Sequence, residues 1–434
     1  MNPLARLPYV AAGAIARALA AVPPPGDSKA SRALRARRGI GRRYVAWAAQ
    51  NRDPSKPLLW VHAPSVGEGL QALPVIQLFR SRHPGAQVAY TFFSPSAERF
   101  AATVGADFHD YLPFDTVGDA DLVLDALRPT ALVFSKLDVW PLFVERAALK
   151  GVRLGMISAT MPASSGRRSS SSLLFVGDAY RAMDAVGAVS DDDRAHLIEA
   201  GVRPDRVSIT GDTRYDQAWA KAELNSAERG ALINPLRAPR FTLVAGSTWP
   251  SDEERLLPAW LTVRRSLADV RLIIAPHELS PKHLEAIEVW ARSSGLRFAR
   301  QGDSAAKAAD VIIVDRYGIL GDLYALADVA YVGGGFRDAG LHSLLEPAAF
   351  GAPVIIGPRH TDNRDARLLE AAGGAFRHSD SGAIARAIIG FIENPDSLTQ
   401  ARVAGRETVR AGLGAAERSV ELVELLMKSD STAN

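Results

Sequence analysis

The fold of this chain is decided by the stretch V-A-Y-V-G-G-G-F at residues 329–336, together with L-H-S-L-L-E-P at residues 341–347. The four apolar residues predict a buried parallel strand, and the glycines that follow let a ligand approach the backbone closely. A helix opening behind them would offer free N–H groups and the positive end of its dipole to an anion. The stretch therefore favours a nucleotide-binding turn at the carboxyl end of a strand, with Glu346 placed to hold ribose hydroxyls.

A second interpretation of the same residues is purely structural. Ser343 and Glu346 have the S-x-x-E spacing of a capping box, in which both side chains satisfy backbone N–H groups at the start of a helix. The two roles can coexist, so the sequence leaves both open for Glu346.

Apolar runs separated by helix-length segments continue on both sides of this stretch. Most are short and rich in branched residues, which is typical of parallel strands covered by helices on both faces. Six runs lie in each half, so we predict an α/β protein of two doubly wound, Rossmann-like domains that face a cleft. The boundary is expected within residues 219–239, which contain Asn234, Pro235 and Pro239. The predicted strands are residues 58–62, 88–93, 131–134, 153–157, 185–189 and 207–210, and then 241–245, 271–275, 311–314, 329–332, 354–356 and 375–377.

Length and composition restrict the possible chemistry. A chain of 434 residues is too long for one ordinary core, which agrees with two domains. The absence of cysteine excludes disulfides, cysteine nucleophiles and thiolate metal sites. No H-E-x-x-H or EF-hand pattern occurs, so we predict no metal site. No Walker A or G-x-S-x-G pattern occurs either, which argues against P-loop and α/β-hydrolase chemistry.

The amino-terminal segment has a composition of its own. Residues 1–52 carry ten Lys and Arg and one Asp, whereas the whole chain has a net charge of only +3, so the remaining 382 residues are net acidic. Residues 7–22 are almost entirely apolar and end at Pro23-Pro24-Pro25, which is short for a membrane span. We expect a helix lying in the membrane interface, with Arg6, Arg17 and the basic run of residues 29–43 on anionic lipid. A cleaved signal peptide and an ordinary amphipathic helix packed on the body are the alternatives. Nucleic acid is a less suitable partner because the rest of the chain is acidic.

Candidate catalytic residues of the first half follow its predicted strands. Glu68 comes just after the first strand, where a carboxylate can act as general base on an acceptor hydroxyl or can simply favour the helix dipole. Asp138 and Trp140 follow the third strand at the same end of the sheet. Arg214 could stabilise a phosphate leaving group, or it could form a surface pair with Asp216.

Loops of the second half predict a binding rim. Residues 246–248, 276–278 and 315–320 follow successive strands and would lie beside the Gly333 turn. Within them, His277 could be a base, a ligand contact or a helix-start residue. A serine-rich patch at residues 164–172, with Arg167 and Arg168 embedded, predicts a mobile solvated loop, and contact with an anion is the alternative.

These residues together resemble the family of 3-deoxy-D-manno-octulosonic acid (Kdo) transferases over nearly the whole chain. H-A-P-S-V-G-E at residues 62–68 is close to the family's H-A-x-S-V-G-E, which implies that Glu68 is the general base. K-L-D-V-W-P at residues 136–141 is similar to the family's T-E-L-W-P, so its transition-state glutamate falls on Asp138. G-D-T-R-Y-D at residues 211–216 matches G-N-L-K-F-D, so the family's lysine falls on Arg214.

The resemblance also implies three loops that bind the cytidine monophosphate part of the donor. Two departures lie in these loops, because the family's Pro-Arg has become Pro-His at 276–277 and its His-Asn-Pro-Leu-Glu has become His-Ser-Leu-Leu-Glu at 342–346. The first departure exchanges a fixed cation for a titratable one. The implied donor-binding residues are Pro276 and His277, then Tyr317, Gly318 and Ile319, and finally Ser343, Leu344, Leu345 and Glu346.

The resemblance implies a glycosyltransferase with two Rossmann-like domains (GT-B type) that moves Kdo from CMP-Kdo to a lipid A precursor without metal or cofactor. It implies a membrane-associating segment at 1–52, an acceptor domain at 53–220 and a donor domain at 235–434, working on the cytoplasmic face of the inner membrane. A GT-B enzyme that uses a UDP-sugar on a lipid or cell-wall precursor and an inactive carbohydrate-binding homologue are the alternatives.

Overall fold

The structure is a computed structural model that describes residues 2–22, 26, 28–224, 227–338, 340–360 and 363–428. The chain divides into two compact units, one formed by Met1–Gln217 with Leu413–Asn434 and the other by Ala218–Gly412. Pro23–Pro25, predicted to end the apolar segment, and residues 225–226 of the predicted boundary lie outside the described residues.

The first unit holds a seven-stranded parallel sheet in the order β3-β2-β1-β4-β5-β6-β7. Its strands are β1 Leu58–His62, β2 Gln87–Phe92, β3 Phe108–Tyr111, β4 Ala131–Ser135, β5 Arg153–Ala159, β6 Ala185–Ala188 and β7 Val207–Ile209. Its helices are α1 Pro3–Ala21, α2 Lys29–Ala36, α3 Ile40–Asn51, α4 Val66–Arg82, α5 Glu98–Ala101, α6 Val117–Leu127, α7 Pro141–Leu149, α8 Ser170–Arg181, α9 Asp191–Glu199, the start of α10 Thr213–Glu223, and α19 Ala415–Met427.

The second unit repeats the design with the order β10-β11-β9-β8-β12-β13-β14. Its strands are β8 Phe241–Thr248, β9 Val270–Pro276, β10 Phe298–Arg300, β11 Val311–Ile313, β12 Val329–Val332, β13 Val354–Ile356 and β14 Ala375–Arg377. Its helices are the end of α10, then α11 Ala227–Ile233, α12 Pro250–Ser266, α13 Pro281–Ser293, α14 Leu320–Leu323, α15 Leu345–Ala349, α16 Arg364–Ala372, α17 Ser381–Glu393 and α18 Pro395–Ala411.

The prediction of two Rossmann-like α/β domains is confirmed, and each sheet has one strand more than predicted. The missed strands are β3 and β10, which lie at a sheet edge in each unit. They are short and mix polar with apolar residues, because an edge strand is not enclosed on both sides. In both sheets the direction of strand order reverses next to the first strand, between β1 and β4 and between β8 and β12. Ligands of doubly wound sheets bind at such points, beyond the carboxyl ends of the strands.

The last helix requires a correction to the domain assignment. Residues 235–434 were expected to form one domain, yet α19 packs on α4 and β5 of the first unit. Its Val420, Val423 and Leu426 are buried in the first core, and a Cβ on Gly155 of β5 would lie 2.5 Å from Leu426 Cδ1. The chain enters the second unit within α10 and leaves it at Gly412. Sequence pattern alone cannot reveal this return because it depends on tertiary packing.

Helix α1 lies against the first unit through polar contacts on one face. Arg6, expected at lipid headgroups, instead pairs with Glu145 (2.7 Å between Nη2 and Oε1), and Arg17 pairs with Asp119 at 3.1 Å. Among the described residues, α1 is the one helix that is long and apolar enough to cross a membrane, and only 11% of that window is buried. The exposed large apolar residues of α1 are Leu4, Leu7, Val10, Ile15 and Leu19, and Val22, directly after the helix, is exposed as well.

Candidate active site

Glu68 lies in the first turn of α4, which begins directly beyond the carboxyl end of β1. Ser65 caps this helix and also donates a hydrogen bond to Glu68 Oε2. Lys136, which follows β4 with a φ of +61°, brings its Nζ within 3.2 Å of Glu68 Oε1. Both groups therefore meet at the point where the strand order of the first sheet reverses.

The environment of Glu68 keeps it ionised. Burial disfavours its charged form, but the hydrogen bond from Ser65 and the positive charge of Lys136 outweigh this effect and lower the pKa of Glu68 below its ordinary value. Each carboxylate oxygen can accept two hydrogen bonds, so both oxygens retain capacity for a further donor.

Asp138 is the centre of a second cluster at the same sheet edge. His62 Nε2 lies 3.3 Å from Asp138 Oδ2, and Trp140 Nε1 donates to the same oxygen at 3.2 Å. Arg167 Nη2 donates to Oδ1 at 3.2 Å. Burial raises the pKa of Asp138, but its hydrogen bond with His62 and the charge of Arg167 outweigh this effect, so the pKa is lowered.

A chain of hydrogen bonds orients the buried ring of His62. Trp60 Nε1 donates to Thr91 Oγ1 at 2.9 Å, and the same hydroxyl lies 3.0 Å from His62 Nδ1. The two ring nitrogens are therefore held on opposite sides, because Nδ1 contacts Thr91 whereas Nε2 contacts Asp138 and lies 3.3 Å from Trp140 Nε1.

The serine-rich patch is more structured than a mobile loop. Residues Gly166–Arg168 form a 3₁₀ turn, and Ser169 caps α8. Because this turn holds Arg167 against Asp138, the patch supplies a cation to the candidate site, and the solvated-loop interpretation is wrong for Arg167.

Arg214 pairs with Asp212, at 2.6 Å between Nη2 and Oδ2, and does not form the pair with Asp216 that was the alternative interpretation. Asp216 instead accepts hydrogen bonds from the backbone N–H groups of Gly414 and Ala416 at 2.8 and 3.0 Å. Asp212 Oδ1 lies 3.3 Å from the Nε2 of Gln71, which is one turn after Glu68 on α4. Arg214 is therefore connected to the helix that carries Glu68.

The glycine turn after β12 serves close packing of backbones. A Cβ on Gly333 would lie 2.2 Å from the carbonyl oxygen of Ser247, and one on Gly335 would lie 2.5 Å from the backbone nitrogen of Gly357. Gly334 N donates to the buried Asp252 at 2.9 Å. The helix predicted to follow these glycines is α15, which begins at Leu345 and has Glu346 in its first turn.

Glu346 does not belong to a capping box. The residue before α15 is Leu344, and no side chain caps this helix, so Ser343 and Leu344 precede it while Leu345 and Glu346 form its first turn. Glu346 Oε1 accepts from Lys221 Nζ at 3.2 Å. A Cβ on Gly321 would lie 2.6 Å from the same oxygen, so the carboxylate lies beside the start of α14, the helix that follows Gly318 and Ile319.

Three rings and a guanidinium stack beyond the ends of β8 and β9. His277 follows Pro276, the last residue of β9, and its ring centroid lies 4.3 Å from that of Trp249 and 4.5 Å from that of His342. Arg337 Cζ lies 3.6 Å from the Trp249 ring centroid. Burial, with a contribution from Arg337, lowers the pKa of His277 below its usual value, and burial, His277 and Arg337 lower that of His342 to about 4. Both rings are therefore neutral near pH 7.

The loop after β11 lies beside this stack. Tyr317 is exposed, and its hydroxyl accepts from the backbone N–H of Leu279 at 3.2 Å. Gly318 has a φ of +89°, and Ile319 is the residue before α14. The second unit therefore presents the sequence-predicted donor residues beyond the carboxyl ends of β9, β11 and β12.

Comparison with known proteins decides the family. A family model described as 3-deoxy-D-manno-octulosonic-acid transferase (kdotransferase) matches residues 33–217. The 3-deoxy-D-manno-octulosonic acid transferase of Chlamydophila psittaci is 30% identical over 349 residues, which cover 78% of this chain and 78% of that protein. The chain belongs to this family. It is therefore a glycosyltransferase of lipopolysaccharide biosynthesis. The Bordetella pertussis member is 29% identical over 398 residues, which cover 88% of this chain and 90% of that protein.

Solved structures confirm the GT-B type fold. The UDP-GlcNAc 2-epimerase of Neisseria meningitidis superposes with a TM-score of 0.64 at 16% identity, covering 85% of this chain and 100% of that one. A glycosyltransferase from Rickettsia africae gives a TM-score of 0.56 at 12% identity, covering 86% of this chain and 100% of that one.

Several residues of this Kdo transferase family member were missed as site candidates. Lys136 contacts Glu68, Trp249 stacks with His277, and Arg337 stacks with Trp249. Arg167 was foreseen only as a contact for an anion, and it contacts Asp138. The signal available for Lys136 and Trp249 was their position just after a strand. Arg167 and Arg337 reach the site only through tertiary contacts. Among the described residues, no group of three or more His, Cys, Asp or Glu side chains is arranged to hold a metal ion.

Proposed function

We propose that this family member transfers Kdo from CMP-Kdo to a sugar hydroxyl of a lipid A precursor of the lipid IVA type, with Glu68 as general base. Glu68 takes the hydroxyl proton while the oxygen forms a bond to the anomeric carbon of Kdo. The bond from that carbon to the phosphate oxygen breaks, and CMP leaves with the electron pair. The observation that carries this proposal is the half-buried carboxylate of Glu68, held ionised by Ser65 and Lys136.

Asp138 supports the same reaction from the neighbouring cluster. A sugar centre that loses its leaving group develops positive charge, which a fixed carboxylate stabilises. Its contacts with His62, Trp140 and Arg167 hold the carboxylate in one position, so little reorganisation is needed during the reaction.

The second unit is proposed to hold the CMP part of the donor. Glu346 is the acceptor for ribose hydroxyls, beside the loop of Tyr317, Gly318 and Ile319. His277 is neutral and cannot replace the fixed cation of the family's Pro-Arg. Arg337, stacked on the adjacent Trp249, supplies the positive charge near this position, and its Nη1 is buried with no hydrogen-bond partner among the described residues.

The reaction is proposed to proceed without a metal or cofactor, because cations of the chain can neutralise the phosphate of the leaving group. Arg214, onto which the family's lysine falls, is suited to this role, since guanidinium groups bind phosphate with two parallel hydrogen bonds.

Attachment to the cytoplasmic face of the inner membrane is proposed for the amino-terminal segment. The exposed apolar residues of α1 would enter the lipid interface. Lys29, Arg32, Arg38 and Arg42 are exposed and have no ion-pair partner among the described residues, so they are available to anionic lipid. A nucleotide-activated donor places the reaction on the cytoplasmic side.

Replacement of the base tests the mechanism. Glu68→Gln should reduce kcat by roughly 10²-fold or more, because the amide keeps the shape and loses the base. CMP affinity, measured by calorimetric titration, should stay unchanged. Glu421→Gln, an exposed carboxylate of the same unit, is the matched control and should keep full turnover. Wild-type turnover in Glu68→Gln would remove Glu68 from the mechanism, and preferential binding of UDP over CMP would favour a UDP-sugar donor.

A further inference from the structure

A basic cavity lies at the amino-terminal edge of the second sheet, away from the donor loops. It encloses about 660 Å³ beside Thr242 and Arg271, the second residues of β8 and β9, and Asp328, which precedes β12. A cavity of this size is within the range of small-molecule sites. Asp328 is the one acid among the described lining residues. Five lining residues are arginines: Arg237, Arg240, Arg271, Arg402 and Arg406.

Arg271 carries a buried charge without a carboxylate partner. Its side chain is almost fully buried, and its Nε donates to Thr242 Oγ1 at 2.9 Å while Nη1 donates to the Leu236 carbonyl. No salt-bridge partner of Arg271 occurs in the described part of the chain. Burial lowers its pKa to about 10, with a further contribution from Arg240. Neutral acceptors compensate a buried cation only in part, so an anion in the cavity would be stabilised.

The remaining arginines give the cavity an excess of positive charge. Asp328 is occupied by Arg402, at 2.7 Å, and by the backbone N–H of Thr242. Arg402 Nε is buried and has no hydrogen-bond partner among the described residues. Arg237 is exposed, and within the described part of the chain its side chain donates only to the Asn234 side-chain oxygen, at 3.3 Å.

Arginines on the far side of the cavity are partly neutralised by carboxylates outside it. Arg240 pairs with Asp310 at 2.8 Å and with Asp269 at 3.2 Å, and the Asp310 carboxylate also receives Arg264 and Arg297. Arg406 pairs with Glu223. One aspartate therefore serves three guanidinium groups, and the cluster as a whole remains cationic.

We propose that this cavity binds a small anion with two or more phosphate groups, at a site separate from the donor loops. Guanidinium groups that converge from the segment before β8, from β9 and from α18 suit phosphate oxygens better than a single carboxylate. The cavity is separate from the donor loops because it lies at the amino-terminal ends of the strands, whereas the loops of Glu346 and His277 lie beyond the carboxyl ends. The proposal does not depend on the transfer reaction.

Calorimetric titration of the full chain with sodium pyrophosphate at low ionic strength tests this proposal, with inorganic phosphate as the comparison that carries a single phosphate group. Pyrophosphate should bind at least tenfold more tightly than phosphate, and saturating CMP should not displace it. Arg402→Gln should weaken pyrophosphate binding roughly tenfold, and Arg237→Gln should weaken it severalfold. Each substitution removes a charge-assisted hydrogen bond to the anion. Arg386→Gln, an exposed arginine on α17, is the control and should change nothing.

Arg237→Gln keeps the test decisive if Arg402→Gln fails to fold, because the Arg237 side chain is exposed and makes one long hydrogen bond, to Asn234, among the described residues. Pyrophosphate should then raise the melting temperature of the wild-type protein more than that of Arg237→Gln. The proposal is overturned by absence of pyrophosphate binding at millimolar concentration, by equal binding in the cavity variants, or by full displacement with CMP.

Discussion

Glu346→Gln separates donor recognition from structural support at the loop that first suggested nucleotide binding. The substitution keeps the size of the side chain and removes its charge. Glu346 caps no helix, and its contact with Lys221 spans 3.2 Å between side chains that are 36% and 30% exposed. Exposed ion pairs of this kind contribute about 0–1 kcal/mol, so the melting temperature should fall by no more than about 2–4 °C.

The effect on ligand binding should be larger. If the carboxylate accepts hydrogen bonds from the ribose of CMP, its removal costs about 1.5–3 kcal/mol, which corresponds to roughly a 10- to 150-fold loss of affinity. Calorimetric titration with CMP and a melting curve on the same variant measure both quantities. Lys221→Met is the matched control, because it breaks the same ion pair and leaves the carboxylate in place, so its CMP affinity should change less than about threefold. CMP affinity within twofold of wild type in Glu346→Gln would refute the donor role.

Three further perturbations test other parts of the structure. Lys136→Met should move the acid limb of the pH profile of kcat/KM to higher pH, since Lys136 helps to lower the pKa of Glu68 and the base is lost as pH falls through that pKa. Lys136→Arg should leave the limb in place. An unmoved limb in Lys136→Met would show that Lys136 does not set the pKa of the base. Deletion of residues 1–22 should remove most sedimentation with anionic vesicles while both units still melt cooperatively, and undiminished sedimentation would locate the anchor elsewhere. Gly335→Ala should destabilise the protein by about 1–3 kcal/mol in denaturant melts, because its Cβ would lie 2.5 Å from Gly357 N. Gly302→Ala is the control, since a Cβ there meets nothing within 4 Å. Equal stability of the two variants would contradict the packing role of Gly335.

Strands enclosed on both faces were predictable from the sequence. β12 is apolar throughout and β1 is apolar up to its last residue, His62, because helices cover both sides of the sheet, so the pattern reports that burial directly. The edge strands β3 and β10 gave no such signal. The return of α19 to the first unit depends on contacts with residues hundreds of positions earlier, which no local pattern reports.

The candidate site was predictable where it follows strand ends. Glu68, Asp138 and His277 each come just after a strand, and their roles stay predictions. Their partners were less accessible, because Arg167 reaches Asp138 from a separate turn and Arg337 reaches Trp249 across two loops. The capping box was a plausible local interpretation that failed because the helix begins one residue later than the spacing implied.

Incubation of the full chain with CMP-Kdo and a lipid A precursor, followed by mass spectrometry of the lipid, tests the proposed reaction most directly. We predict product masses increased by whole Kdo units with the wild-type protein, and unmodified lipid with Glu68→Gln although that variant still binds CMP. Unmodified lipid with the wild-type protein, or equal product with Glu68→Gln, would contradict the account.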